Sequence, residues 1–311
     1  MPEHGSLPHG SLPHGSLPGA GADPGTGRGP SVAEVVEIDG DPYGVAVAAS
    51  GALWFTMPAR GAIGRWDGTR QATFPLEPAD GSPTVLLADG EHLWFSEFRG
   101  GRIGRIEPGG AVTFESADSP YGLCRTPDGA LWFTEMNAGA VVRRAPDGSR
   151  ERYAVEGMPS AVAAGPDGTV WFTLNRANAV GRISPGGALR VYPLPTEGAA
   201  PVGITADAGG AWFAEIGAGQ LGHLACDGTI TEFPLPDRQA RPHAVIIGPD
   251  GALWFTEWAG ARLGRMTPDG RVTEMTLPGA EPHGLTATRD GSIWVAMESG
   301  ALVRVCPDRA G

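Results

Sequence analysis

Seven tryptophans recur along this chain at an almost constant interval: Trp54, Trp94, Trp132, Trp171, Trp212, Trp254 and Trp294. The gaps between them are 40, 38, 39, 41, 42 and 40 residues. Six of the seven follow Leu, Val or Ile, and Trp212 follows Ala211. Around each one the same order of segments repeats. A short apolar segment follows a proline ("PYGVAVA", "PHAVIIG"), and a turn such as "PDG" leads into "ALWFTE". A loop then leads into "RIGRI" or its equivalent, and a segment such as "ITEFPLP" ends the unit. These are four short strands joined by Asp-Gly and Gly-Gly turns of hairpin type. The 49 glycines and 29 prolines follow the period, as turn residues. Nothing in the unit has helical periodicity, which sets aside the helical solenoids of similar repeat length. Four strands every 40 residues or so predict an all-β fold, a seven-bladed β-propeller with four antiparallel strands per blade over residues 31–311.

Closure of the ring is also legible. The last unit stops after "GALVRVC" (300–306) and lacks its outer strand, while "AEVVEI" (33–38) precedes the first unit and resembles the outer strands elsewhere. This N-terminal strand is expected to complete the seventh blade and remove the open edge. A ring closed in this way is self-sufficient, so a monomer is expected.

Residues 1–30 stand apart. "HGSLPHGSLPHGSLP" (4–18) is a five-residue unit repeated three times, followed by a Gly- and Pro-rich stretch. Such a segment buries too little apolar area to offset its ordering entropy, so a disordered tail is expected. The formal net charge is −12, with no lysine and no basic run, which argues against a nucleic-acid groove or an anionic membrane surface as partner. No apolar run reaches membrane-span length and the N-terminus has no signal-peptide pattern, so a cytoplasmic location is expected. Cys124, Cys226 and Cys306 are scattered and odd in number, which reads as free, buried thiols rather than a disulfide framework or a zinc site.

In a propeller the innermost strands line the central channel, and equivalent positions form rings. The residue after the strand-opening proline is, in turn, Tyr43, Thr84, Tyr121, Ser160, Val202, His243 and His283. The scaffold residues repeat from copy to copy, whereas this position varies, and a varying ring on a constant frame is where a site is built. Blades six, seven and one are neighbours in a closed circle, so Tyr43, His243 and His283 should converge on one side of the mouth. Two further deviations lie in the last copy. Glu281 stands two residues before His283, and strand alternation would put both side chains on one side. Glu97, Glu135, Glu215 and Glu257 each follow their Trp by three residues, but in the seventh copy that place is Met297 and the carboxylate arrives one residue later, at Glu298, which suggests the opposite face or a local bulge. Two carboxylates beside an imidazole can hold Mg²⁺, which takes a few carboxylates together with waters and substrate oxygens. The four recurring glutamates are expected to bond backbone groups between strands, and His223, where other copies have Arg, to be structural. Trp258 in "WFTEW" reads either as an aromatic wall for a ligand or as simple packing.

Together the seven "LWFTE…IGRI" units, "RPHAV" (241–245), "WFTEW" (254–258), "EPHGL" (281–285) and "WVAME" (294–298) resemble the virginiamycin B lyase family, propellers that inactivate type B streptogramins. The resemblance covers roughly residues 33–306. "EPHG" followed by "W-x-A-M-E" is its most specific part; Val295 departs from the aromatic commoner at that place. The resemblance implies Glu281 and Glu298 as Mg²⁺ ligands, His283 as the catalytic base, and Tyr43 and His243 as substrate contacts. It implies a carbon–oxygen lyase, conferring antibiotic resistance, that opens a cyclic depsipeptide at its threonyl ester by elimination without water. Two other functions fit a propeller with such a mouth: a metal-dependent lactonase or hydrolase, and a binding module without chemistry.

Overall fold

The computed structural model describes residues 29–307; the expected disordered tail at 1–30, apart from residues 29 and 30, lies outside the described residues. The chain forms seven four-stranded antiparallel sheets, each strand bonded to the next in sequence. Blade 1, for example, runs outward through Val45–Val47, Leu53–Met57, Ala62–Trp66 and Gln71–Pro75. Inner strands of neighbouring blades pack against one another all round the circle, blade 7 against blade 1 included. Among the described residues the helical content is one short 3₁₀ turn, Ala79–Gly81. No helix among them is long and apolar enough to cross a membrane.

The seventh blade closes as the sequence suggests. Its inner three strands are Pro282–Ala287, Ile293–Met297 and Ala301–Cys306, and Ser31–Glu37 pairs antiparallel with the last of these. Val36 and the following Ile38 are buried in the core that blade 7 shares with blade 1. The N-terminal strand thus contributes packing as well as edge hydrogen bonds.

Each repeated residue has a packing reason. The marker tryptophan pairs across the sheet with the "GR" arginine of the third strand, as in Trp54 with Arg65 and Trp171 with Arg182. The guanidinium lies over the indole in both, at 5.6 and 5.3 Å from the ring centre. In blade 5 the arginine's place is taken by His223, whose ring packs on Trp212 at 4.3 Å; its role is structural, as expected. The Phe after the tryptophan lies over the third-strand glycine. A Cβ on Gly64 or Gly181 would meet the ring of Phe55 or Phe172 at 2.1 or 2.0 Å, which excludes any side chain there.

The recurring glutamates prove different from expectation. Glu97, Glu215 and Glu257 are fully buried and bond side chains of the adjacent strand: Arg102, Gln220 (2.6 Å) and Arg262 (2.6 Å). Glu135 bonds Arg152 at 3.1 Å and also accepts the Asp118 N–H. In the copies without Glu, the same core position is Met57, Leu174 or Met297, and its cross-strand neighbour is Ala62, Ala179 or Ala301. An apolar pair therefore replaces an ionic or polar one at a buried site, each self-consistent. The thiols also differ in part from expectation. All three are free, and Cys124 is buried, but Cys306 is half-buried and Cys226 is exposed on a turn.

A further repeat joins the blades. The hydroxyl two residues after the tryptophan accepts an N–H of its own inner strand and donates to the ring-position carbonyl of the next blade. Thr56 so bonds Thr84 O (2.7 Å), Ser96 bonds Tyr121 O (2.7 Å), Thr134 bonds Ser160 O (2.6 Å), Thr173 bonds Val202 O (2.8 Å) and Thr256 bonds His283 O (2.9 Å). Blades 5 and 7 carry Ala214 and Ala296 at this place. The carbonyls left without this hydroxyl belong to His243 and Tyr43.

Candidate active site

The mouth of the channel is built from three residues per blade, all on one repeating backbone frame. The first is the ring position on the inner strand. The second precedes the proline and takes a left-handed conformation in six copies, with φ between 48° and 61°, Glu281 included at 56°. The third immediately follows the buried Glu or Met position. In blades 2, 3, 4, 6 and 7 its N–H bonds the carbonyl of the second, as in Met136 to Ser119, Trp258 to Arg241 and Glu298 to Glu281.

This frame answers both deviations of the last copy. Glu298 is not a displaced relative of the buried glutamates. It stands at the place of Phe98, Met136, Asn175 and Trp258, one residue past the strand Ile293–Met297, and that strand pairs with Ala301–Cys306 without a bulge. Alternation does not govern Glu281, because left-handed backbone interrupts the extended chain there. Glu281 sits exposed at the rim, joined to Glu298 through the backbone bond of 3.0 Å.

Four of the five residues singled out from the sequence meet side chain to side chain. Tyr43 packs on the face of His283, ring centres 4.2 Å apart, and His243 stands edge-on to both, at 6.1 Å from Tyr43 and 4.9 Å from His283. His283 Nε2 lies 2.6 Å from Glu298 Oε2, within hydrogen-bond reach, while His283 Nδ1 is enclosed without a partner. The Tyr43 hydroxyl bonds that of Tyr121 at 2.7 Å, across the channel from blade 3.

The electrostatics follow from burial. His283 is 7% exposed, and loss of solvent pushes its imidazole down to about 4. The neighbouring Glu298 pulls the other way, but with Tyr43 covering one face of the ring, burial prevails and His283 is neutral at pH 7. His243 is pushed lower, to about 3, by burial and then by His283. Glu298 is raised above the usual carboxylate range, first by partial burial and then by the charge of Asp41. Asp41 is the pre-proline residue of blade 1, so a third carboxylate faces this corner of the mouth, and its Oδ1 is enclosed without a partner. It was recognisable in advance, since the copy adjacent to blade 7 alone shares an acidic residue at the place of Glu281.

Blades 2 to 5 present a different surface. Their mouth residues include Phe98, Met136, Met158, Val202 and Ile216. A cavity of about 390 Å³ runs from Tyr43 and His243 across to Tyr121, Ser160, Met136 and Met158. The mouth is thus polar and acidic on blades 7 and 1 and largely apolar opposite. On blade 6, the Arg241 guanidinium lies 5.7 Å from the centre of the Trp258 ring, whose Nε1 is enclosed without a partner. Trp258 is thus half-buried at the rim.

The sequence model of the virginiamycin B lyase family matches residues 31–305, nearly the whole described chain. The chain belongs to the virginiamycin B lyase family. A virginiamycin B lyase of Nocardia farcinica is 63% identical over 279 residues, covering 89% of this chain and all of that one. Among solved structures, selenomethionine-substituted virginiamycin B lyase from Staphylococcus aureus superposes with a TM-score of 0.84 at 32% identity, covering 89% of this chain and 99% of that one. A catalytically inactive histidine-to-alanine variant of the Staphylococcus aureus lyase, with quinupristin, superposes with a TM-score of 0.80, also at 32% identity, covering 88% and 99%. The family's seven-bladed architecture is that described above, and its mouth in this chain gathers two neutral imidazoles, two phenols and the acidic corner of blades 7 and 1.

Proposed function

We propose that the protein is a Mg²⁺-dependent carbon–oxygen lyase that linearises type B streptogramins by eliminative cleavage of the threonyl ester. The observation that carries this reading is the buried His283 held 2.6 Å from Glu298 at the mouth of a virginiamycin B lyase-family propeller. The inactive histidine variant of the Staphylococcus aureus lyase, with quinupristin, supports both the substrate class and an essential imidazole.

The donor set suits Mg²⁺. Glu281 and Glu298 are hard oxygen donors joined by a backbone hydrogen bond. No group of three or more His, Cys, Asp or Glu side chains among the described residues converges as a ready-made metal cage. That is compatible with Mg²⁺, which commonly completes its shell with water and substrate oxygens. Glu281 and Glu298 would hold the ion, which when bound polarises a substrate carbonyl and so acidifies the adjacent C–H.

The remaining steps belong to the chain's own residues. His283, neutral at pH 7, removes the threonyl α-proton as general base. Nδ1 is enclosed, so the proton is taken at Nε2 once its contact with Glu298 has opened and its lone pair is free. Electrons of the broken C–H bond form a carbon–carbon double bond, and the ester carboxylate leaves from the β-carbon. The ring opens with no water consumed. Tyr43 and His243 contact the substrate beside the reacting carbon, and the apolar arc of blades 2 to 5 receives the rest of the macrocycle. The N-terminal strand closes blade 7 within one chain, which supports action as a monomer.

The test is mass spectrometry of a type B streptogramin after incubation with Mg²⁺ or with a chelator. A new species of unchanged mass, formed only with the metal, is expected. A gain of one water would mean hydrolysis and overturn the mechanism. His283→Ala should abolish ring opening with folding intact, and Glu281→Gln should raise the Mg²⁺ concentration needed.

A further inference from the structure

Tyr43 is the ring residue that packs on His283, yet its own mounting differs from that of its counterparts. Its carbonyl lacks the hydroxyl bridge that five other junctions have, and instead accepts Gly284 N–H at 2.8 Å. The far end of its side chain has one hydrogen-bond partner among the described residues, the hydroxyl of Tyr121 at 2.7 Å. Between the two phenols lies blade 2, whose ring residue, Thr84, is short and turns its hydroxyl to Ser96 at 3.0 Å. Tyr121 can therefore reach across.

Tyr121 is itself held firmly. Its carbonyl accepts from Ser96 Oγ at 2.7 Å, and the next residue, Gly122, donates its N–H to Thr134 Oγ1 at 2.8 Å. A bridge from the preceding blade and one from its own blade thus fix its backbone. Burial raises the pKa of both phenols, so both keep their protons at neutral pH.

Each phenol carries one proton, so within the pair only one can donate to the other. A depsipeptide presents ester and amide carbonyl oxygens to the mouth, and these only accept. Binding such a substrate at Tyr43 selects the arrangement in which Tyr43 gives its proton to the substrate and receives one from across the channel. We infer that Tyr121 is a positioning residue of the elimination: its hydroxyl donates to Tyr43, holds that ring against His283, and points the Tyr43 proton at the substrate oxygen. This rests on the lyase reading above and adds a residue two blades away from Tyr43.

The experiment is a double-mutant cycle of Tyr121→Phe and Tyr43→Phe, followed by turnover of a type B streptogramin, with thermal melts to confirm folding. Phe keeps the ring volume and removes only the hydroxyl. Tyr121→Phe should lower kcat about tenfold, the worth of one hydrogen bond of about 1.4 kcal/mol, with KM changed less than about threefold. In the Tyr43→Phe background, Tyr121→Phe should cost nothing more, because the bond it supplies is already gone. Unchanged kcat in Tyr121→Phe, an unaffected Tyr43→Phe, or losses that multiply independently would each overturn the inference while leaving the lyase reading in place. A wild-type protein that leaves the antibiotic intact overturns both. Should Tyr121→Phe not fold, Tyr43→Phe and Tyr121→His complete the test: a donor restored at 121 retains turnover, and a loss as large as that of Tyr43→Phe refutes the positioning role.

Discussion

Neutrality of His283 is the property on which the proposed chemistry depends, and it is measurable without substrate. An unperturbed histidine titrates near 6.5. Burial pushes His283 down to about 4, so the folded protein disfavours the imidazolium by about 3 kcal/mol at about 1.36 kcal/mol per pKa unit. At pH 5 about nine-tenths of the molecules would then still carry neutral His283, whereas an ordinary histidine would be only about 3% neutral. The sign for stability follows from the same shift. The unfolded chain takes up protons first as pH falls below about 6.5, so this contribution to stability is lost between about 6.5 and about 4, by about 2 kcal/mol between pH 7 and pH 5. The assay is a ¹H–¹³C titration of imidazole Cε1–H resonances, assigned by the peaks that vanish in His283→Ala and His243→Ala. Both resonances should keep neutral shifts down to pH 5. An imidazole midpoint at 6 or above for His283 would refute the argument that burial outweighs the pull of Glu298. In turnover experiments the acid limb of kcat/KM should report whichever of Glu298 and His283 protonates at the higher pH, the two titrating as a coupled pair.

Three further outcomes are expected from the scaffold. Thr134→Val should cost about 2–4 kcal/mol in denaturant unfolding, because it strands the buried Ser160 carbonyl and Gly122 N–H; a loss under about 0.5 kcal/mol would show that the blade bridges are incidental. Burial pushes the Glu215 carboxyl up to about 7 with a glutamine rather than an arginine beside it, so the group stabilises the wild type at low pH and ceases to as pH rises through 7. Glu215→Gln should therefore gain stability relative to wild type on going from pH 6 to pH 8, by about 1 kcal/mol, and a pH-independent difference would contradict this assignment. Deleting residues 1–38 exposes the strand edge at Ala301–Cys306 and removes the buried Val36 and Ile38, which should leave an aggregating product in size-exclusion chromatography; a soluble monomer of unchanged melting temperature would refute closure by this strand.

The fold was legible because each blade buries the same residues for the same reasons. Trp against Arg recurs in six blades, and Phe over Gly and a hydroxyl between blades in five each, so the spacing could be counted through the exceptions. The ring position was legible by contrast, since Tyr43, His243 and His283 vary where their frame does not. The spacing of Glu281 and Glu298 was visible, but its cause was not. Strand alternation misjudged Glu281 because the residue before each proline takes left-handed backbone, which a period of two cannot register. Glu298 suggests a bulge because its carboxylate comes one residue later than Glu97, Glu135, Glu215 and Glu257 do after their tryptophans. Only the cross-strand neighbours, Arg or Gln in three of the acidic copies and Ala in the apolar ones, show that the two glutamate positions have separate purposes. Contact between Tyr43 and Tyr121 was likewise out of reach, because it spans an intervening blade and depends on Thr84 being short.

The two alanines in place of the bridging hydroxyl connect this scaffold to its site. Where Thr56 stands, an oxygen lies between blades 1 and 2, accepting from Gly44 N–H and donating to Thr84 O. With Ala296 between blades 7 and 1, Gly284 N–H reaches the Tyr43 carbonyl directly, and a Cβ on Gly284 would lie 2.8 Å from that oxygen. The inner strands there meet through backbone alone, and the side chains they carry, His283 and Tyr43, meet face to face. The second exception lies at the junction of blades 5 and 6. Ala214 stands there, and a Cβ on Gly203 would come within 2.3 Å of the His243 carbonyl, the same approach that Gly44 makes to Thr84 O beside the Thr56 bridge. Both departures from the bridging pattern thus fall at carbonyls of residues that pack around His283.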